Sequence, residues 1–302
     1  MFGRLDLISI LMGIFFSILW SSAFSTAKII IFQIQPFTAL AIRFGISAVI
    51  AIGIACALGQ SFRLTRKQLY GVLIFGLCQN GIYLSANFVA MQWIDASLAA
   101  IIASSLPLQV AFLSLWIFRE NLGWVGNSGL ILGFIGVIII MATRGNIGLE
   151  LFGIIICVVA SMALCIATLA IKGTDLQQNL MMLVGFQMVV GFVCTLIPAL
   201  LIESWQPVEF NWPLAMAFTY QIFAPGILGT WIWFLLVNRT GPTKAASFHF
   251  LNPFLGVLIA VILLGEAVNA TDIFGVIIIS LGIVAVQLSK NAALPDSKID
   301  NP

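Results

Sequence analysis

The sequence has little charge and few titratable groups. Of its 302 residues only 8% are Asp, Glu, Lys or Arg, and there is a single histidine, His249. Soluble domains average about 25% charged residues, so this composition excludes an ordinary soluble fold. The five cysteines (Cys56, Cys78, Cys157, Cys165 and Cys194) all fall inside apolar runs. That excludes a disulfide framework or a metal-ligand spacing and reads as small packing residues. No phosphate-binding loop is present, and no segment between the apolar runs could house an ATPase, so an ATP-driven pump is excluded. The net charge of +2 comes without a basic patch, so no nucleic-acid partner is expected. One histidine and no acid deep in any apolar run leave no metal site and no acid/base cluster. No cofactor and no enzyme activity are therefore expected.

What is present is apolar: 61% of the residues are hydrophobic, with a mean hydropathy of +1.13. About 20 residues of helix cross a ~30 Å hydrocarbon core. Charged and turn-forming residues cut the chain into ten segments of about that length: 7–31, 37–58, 69–91, 96–118, 124–142, 151–171, 179–201, 213–237, 245–264 and 273–289. The first run is too long for a signal-peptide core and counts as a span. The fold class is an all-α membrane protein with ten transmembrane helices.

Lys and Arg orient it. With the N-terminus inside, the inner segments hold Arg4, Arg63, Arg66, Lys67, Arg119, Lys172, Arg239, Lys244, Lys290 and Lys298, while the outer loops hold only Arg144. Both termini are expected in the cytoplasm of a multi-pass cell-membrane protein.

A shift of 146 positions lays residues 241–289 on 95–143. It matches Pro253 to Pro107, Glu266 to Glu120, Gly275 to Gly129 and Gly282 to Gly136. A proline and a glutamate keep the same separation in both copies without a gap. The expected units are 7–143 and 150–289, followed by a tail at 290–302. With five spans each, the second unit enters the membrane upside down. Inverted repeats are a mark of secondary transporters, with substrate near the midplane between the copies.

The "LP" and "NP" of the fourth and ninth spans are each followed by an acid just past the span, and glycine-spaced spans come next. "LWSSAF" in the first span stands where a Trp-Gly-x-x-Phe pattern is common. Together these features resemble the EamA-type members of the drug/metabolite transporter superfamily. The resemblance implies two inverted five-helix units and efflux of small metabolites such as amino acids. Ser21 departs from the pattern, replacing the glycine after Trp20.

Polar groups inside spans mostly face the bundle interior. Helical spacing groups Asn80, Tyr83 and Asn87 on the third span, Ser105 and Gln109 on the fourth, and His249 and Asn252 on the ninth. Gln187 stands in the seventh. With Trp20, Ser21, Trp231 and Trp233 they form the candidate substrate-binding set for a small molecule. Local interhelical hydrogen bonds are the alternative for each polar member.

Arg43 could hold a substrate carboxylate, snorkel outward, or pair with Asp95 or Glu266. Lys28 reads as a snorkelling anchor. His249 could carry a proton or simply donate and accept hydrogen bonds. Pro107 and Pro253 are candidate hinges. The glycines at 126, 129, 133 and 136 suit helix contacts, within the chain or between the two copies of a homodimer. A channel or a structural membrane protein is the alternative to a transporter, with a membrane-embedded enzyme further behind.

Overall fold

A computed structural model describes residues 6–117, 123–143, 149–170, 179–204, 207–209 and 211–292. The roles given above to Arg4, Arg119, Glu120, Arg144, Lys172 and Lys298 lie outside the described residues. The described residues form helices joined by short connections, with no strand among them. We number the helices α1 (Leu7–Ile31), α2 (Pro36–Ala57), α3 (Arg66–Ala90), α4 (Ala96–Ser104, continuing as Leu106–Ile117), α5 (Gly123–Thr143), α6 (Leu149–Ala170), α7 (Leu180–Ile202), α8 (Trp212–Thr240), α9 (Lys244–Leu264) and α10 (Ala270–Ala292). All but α4 are long and apolar enough, in unbroken helix, to cross a membrane. Their outer faces expose large apolar side chains such as Val49, Ile131 and Ile262, as lipid contact requires.

Local chemistry sets the ends. Thr65 and Gln68 form a reciprocal capping box at the start of α3. Pro36 opens α2 in the first turn, where its missing N–H costs nothing. Gly265 ends α9 at φ 66°, a left-handed conformation that a side chain would strain.

The two halves pack as a pseudo-symmetric pair. The most extensive contacts join equivalent helices, α5 with α10 and α2 with α7. Other pairings come in exchanged sets: α1 lies against α8 and α9, as α6 lies against α3 and α4. Glycines allow the closest of these contacts. A Cβ on Gly282 would stand 2.6 Å from the Gly129 carbonyl oxygen, and one on Gly136 would stand 3.0 Å from that of Gly275. Gly129 and Gly136 are therefore used inside one chain, against α10, and Gly133 lies against Leu108.

The caps also repeat. Glu203, beyond α7, accepts from the N–H groups of Phe37 and Thr38 at the start of α2. Gln60, beyond α2, accepts from the N–H of Met182 at the start of α7, at 2.9 Å. Glu266, beyond α9, accepts from Ala96 and Ser97 at the start of α4, at 2.9 and 3.0 Å. Each acid or amide satisfies N–H groups that a helix leaves open in its first turn.

Both repeats share two irregularities as well. The helix breaks at Ser105, just before Pro107, and tightens to a 3₁₀ turn over Phe248–Leu251, just before Pro253. A π-helical stretch runs over Gly76–Leu84 in α3 and over Ile222–Gly229 in α8. The starts of the two π stretches are separated by the same 146 positions as the two prolines.

Candidate functional site

Residues in or beside both π-helical stretches line one cavity, with an empty space of about 490 Å³ when the open solvent at its mouth is included. Wide π turns favour such a place, because the extra residue breaks the regular packing surface and frees groups to point inward. α3 contributes Gln79, Asn80, Tyr83 and Asn87, while α8 contributes Gln221, Pro225 and Thr230. α1 supplies Trp20 and Phe24, α2 supplies Arg43, and α7 supplies Met188. Both repeats therefore wall the cavity. It extends from Trp20, midway along α1, towards Ala27 and Met91, near the face opposite the N-terminus.

The N-terminal face is closed below it. Ser17 donates to the Phe248 carbonyl at 2.9 Å, and the Phe248 ring fills the space where a Cβ on Gly13 would stand. Phe16 stacks on Trp233 with centroids 4.8 Å apart. At the surface the Arg239 guanidinium donates to the Asp6 carboxylate and ties the start of α1 to the end of α8. That contact holds the Asp6 carboxyl at about 2, below its usual range.

Of the sequence-selected residues, Trp20, Arg43, Asn80, Tyr83 and Asn87 line the cavity together. Trp20 stacks on Tyr83, with centroids 6.0 Å apart. The two asparagines also serve the frame. Asn80 donates to the carbonyl of Gln187 at 2.9 Å and to its side-chain oxygen, which fastens α3 to α7. Asn87 donates to the Tyr83 carbonyl at 2.8 Å and accepts from the Cys157 thiol of α6.

His249 and Asn252 stand behind the wall, joined to each other at 2.7 Å. The edges of Phe16, Trp20 and Trp233 box the imidazole at 5.5–5.6 Å between centroids. Trp20 is thus one partition with the cavity on one side and His249 on the other.

Besides Gln187, Trp233, His249 and Asn252, three more candidates lie apart from the cavity. Gln109 donates to Ser105 and Ser161, joining α4 to α6. Ser21 is buried in α1 with its hydroxyl unpartnered, and Trp231 packs at the edge of a hydrophobic cluster.

Arg43 decides the electrostatics. It is 4% exposed, and neither Nε nor Nη1 has a hydrogen-bond partner. It pairs with neither Asp95 nor Glu266, and the latter is engaged at the start of α4. The Phe44 ring lies beneath the guanidinium, its centroid 5.4 Å from the guanidinium carbon. Lys28, next to Ala27 at the edge of the cavity, donates to the carbonyls of Met91 and Ile94 just past the end of α3. That anchors α1 to α3 and engages the other cation of this region.

Sequence grouping missed Gln79, Gln221 and Thr230. Gln221 donates through Nε2 to the Ala23 carbonyl at 2.6 Å and to the Thr26 hydroxyl at 2.7 Å. A carbonyl can only accept, so this fixes the amide and leaves Oε1 unpartnered. Gln79 likewise holds an unpartnered Oε1. An amide inside an apolar run was the available signal for both.

Comparison with known proteins places this architecture. The pattern of the EamA-like transporter family matches residues 7–142 and again residues 151–288. The chain is 23% identical to the uncharacterized transporter YvbV of Bacillus subtilis, over 92% of this chain and 91% of that one. It is also 23% identical to the S-adenosylmethionine/S-adenosylhomocysteine transporter of Chlamydia trachomatis, over 87% and 84% respectively. One solved crystal structure superposes with a TM-score of 0.68 at 19% identity, covering 93% of this chain and 97% of the other, and so shares the fold.

Proposed function

The chain belongs to the EamA-like transporter family, and from that premise we propose that it is a secondary carrier exporting small organic metabolites, amino acids among them. The observation that carries the reading is the cavity, mostly apolar with a few polar side chains set into it, that residues of both repeats wall at or beside their π-helical stretches. A carrier needs a site that either half can open, and a cavity shared between inverted halves meets that need. The named substrates of the Chlamydia relative both carry an amino-acid end, which supports the same substrate range.

The Lys and Arg asymmetry supports a cell-membrane protein with both termini in the cytoplasm. In that orientation the cavity faces outward, and the closed face around Phe248 and the Asp6–Arg239 pair is cytoplasmic. Pro107 and Pro253 are the proposed bending points. Each lies just past a place where the regular helix is interrupted, at Ser105 and over Phe248–Leu251, and its ring keeps the preceding turn from closing into regular helix.

The test is a screen of labelled amino acids and related metabolites with the purified protein in liposomes, with and without a pH gradient. Saturable exchange of at least one compound is expected. Single-channel currents without saturable exchange of any compound would overturn the carrier reading.

A further inference from the structure

Among the described residues, Arg43 is a buried guanidinium with two nitrogens that lack a hydrogen-bond partner. Moving such an ion from water into a low-dielectric site costs several kcal/mol unless an opposite charge or good acceptors meet it. Arg43 is 4% exposed with two donors open, and no carboxylate among the described residues bonds to it or lines the cavity. The missing partner therefore has to come from what enters the cavity.

We propose that Arg43 is the counter-ion for the carboxylate of the transported molecule. This rests on the carrier reading above and narrows it to carboxylate-bearing organic substrates with a flat apolar body.

The fork of a guanidinium matches a carboxylate, which accepts two parallel hydrogen bonds from it. The charge also fits. Among the described residues Arg43 is the one cation that lines the cavity, and Lys28 at its edge is engaged just past the end of α3. A single negative charge neutralises the site, whereas a phosphate dianion would leave one buried and unpaired. The rest of the wall suits the rest of such a molecule. Trp20 stacked on Tyr83 offers aromatic surface, and Gln79 and Gln221 each present an unpartnered oxygen to an N–H or O–H of the ligand. A cation without a carboxylate would meet Arg43 with no acid to offset the repulsion.

The experiment compares four probes of one body: 3-phenylpropionate, L-phenylalanine, L-phenylalaninamide and phenethylamine. Binding is read from tryptophan fluorescence of the purified protein, and transport from exchange in liposomes. The two carboxylates are expected to bind at least tenfold tighter than the amide and the amine. Arg43→Gln is expected to abolish that difference, and Arg43→Lys to restore part of it. The two acids separate an anionic from a zwitterionic substrate.

Equal binding of acid and amide to the unaltered protein overturns the proposal, with no need for a variant to fold. So does an unchanged preference in a folded Arg43→Gln protein, or binding of neither acid. Acid-selective binding without any exchange would instead leave Arg43's role standing and reject the carrier reading.

Discussion

Glu203 closes onto Thr38: its Oε2 accepts from both the backbone N–H and the hydroxyl of Thr38, each at 2.7 Å. The first repeat answers with Gln60 on Met182, so α2 and α7 cap each other at opposite faces. The same logic gives Glu266 its place at the start of α4. Glu203→Ala removes the hydrogen bonds to Phe37 and Thr38 at a helix start and is expected to cost about 1–2 kcal/mol. Denaturation in detergent micelles measures it, and Glu203→Gln should lose less.

Backbone contact between α5 and α10 makes a sharper prediction. Gly282→Ala puts a methyl 2.6 Å from the Gly129 oxygen and 2.6 Å from the Gly133 nitrogen. Backbone cannot rotate away, so a loss of about 1–3 kcal/mol is expected. A Cβ on Gly53, in α2, would meet nothing within 4 Å. Gly53→Ala should be neutral or stabilise by up to about 1 kcal/mol through helix propensity. Comparison of the two melting curves checks both.

The prolines are tested by function and not by stability. Alanine at both Pro107 and Pro253 restores two backbone N–H donors and should slow transport several-fold while the protein still folds. Full-rate exchange by the double variant would reject the hinge role.

The Asp6–Arg239 pair gives a pH prediction. A carboxyl held at about 2 keeps its contribution above its ordinary value of 3.8 and loses it as pH falls towards 2. From about pH 5 to about pH 8 the pair stays ionised. Asp6→Asn should therefore loosen the N-terminal face equally at both ends of that range. Labelling rates of a cysteine introduced on that face provide the readout, and a strongly pH-dependent difference would count against the pair as a fixed latch.

Much of this was legible in the sequence, for physical reasons. Long apolar runs define the helices because the bilayer sets their length. The paired prolines and glycines showed the repeat because each has a backbone consequence. The π stretches left almost no trace. Pro225 hints at one in α8, but Gly76–Leu84 contains no proline. A π turn adds a residue to the helical period, so spacing by three and four grouped Asn80, Tyr83 and Asn87 and left out Gln79. Nor could spacing tell that Arg43 is buried without a partner, or that His249 sits behind Trp20. Those facts depend on which helices meet, and only the packing decides them.

Counterflow tests the central claim most directly. Liposomes containing the protein are loaded with unlabelled L-phenylalanine or 3-phenylpropionate and diluted into a trace of the same labelled compound, with no ATP and no ion gradient. A carrier with one cavity open to alternate sides predicts transient accumulation of label above its outside concentration, followed by decay. Label that only equilibrates, or never enters, would contradict the account.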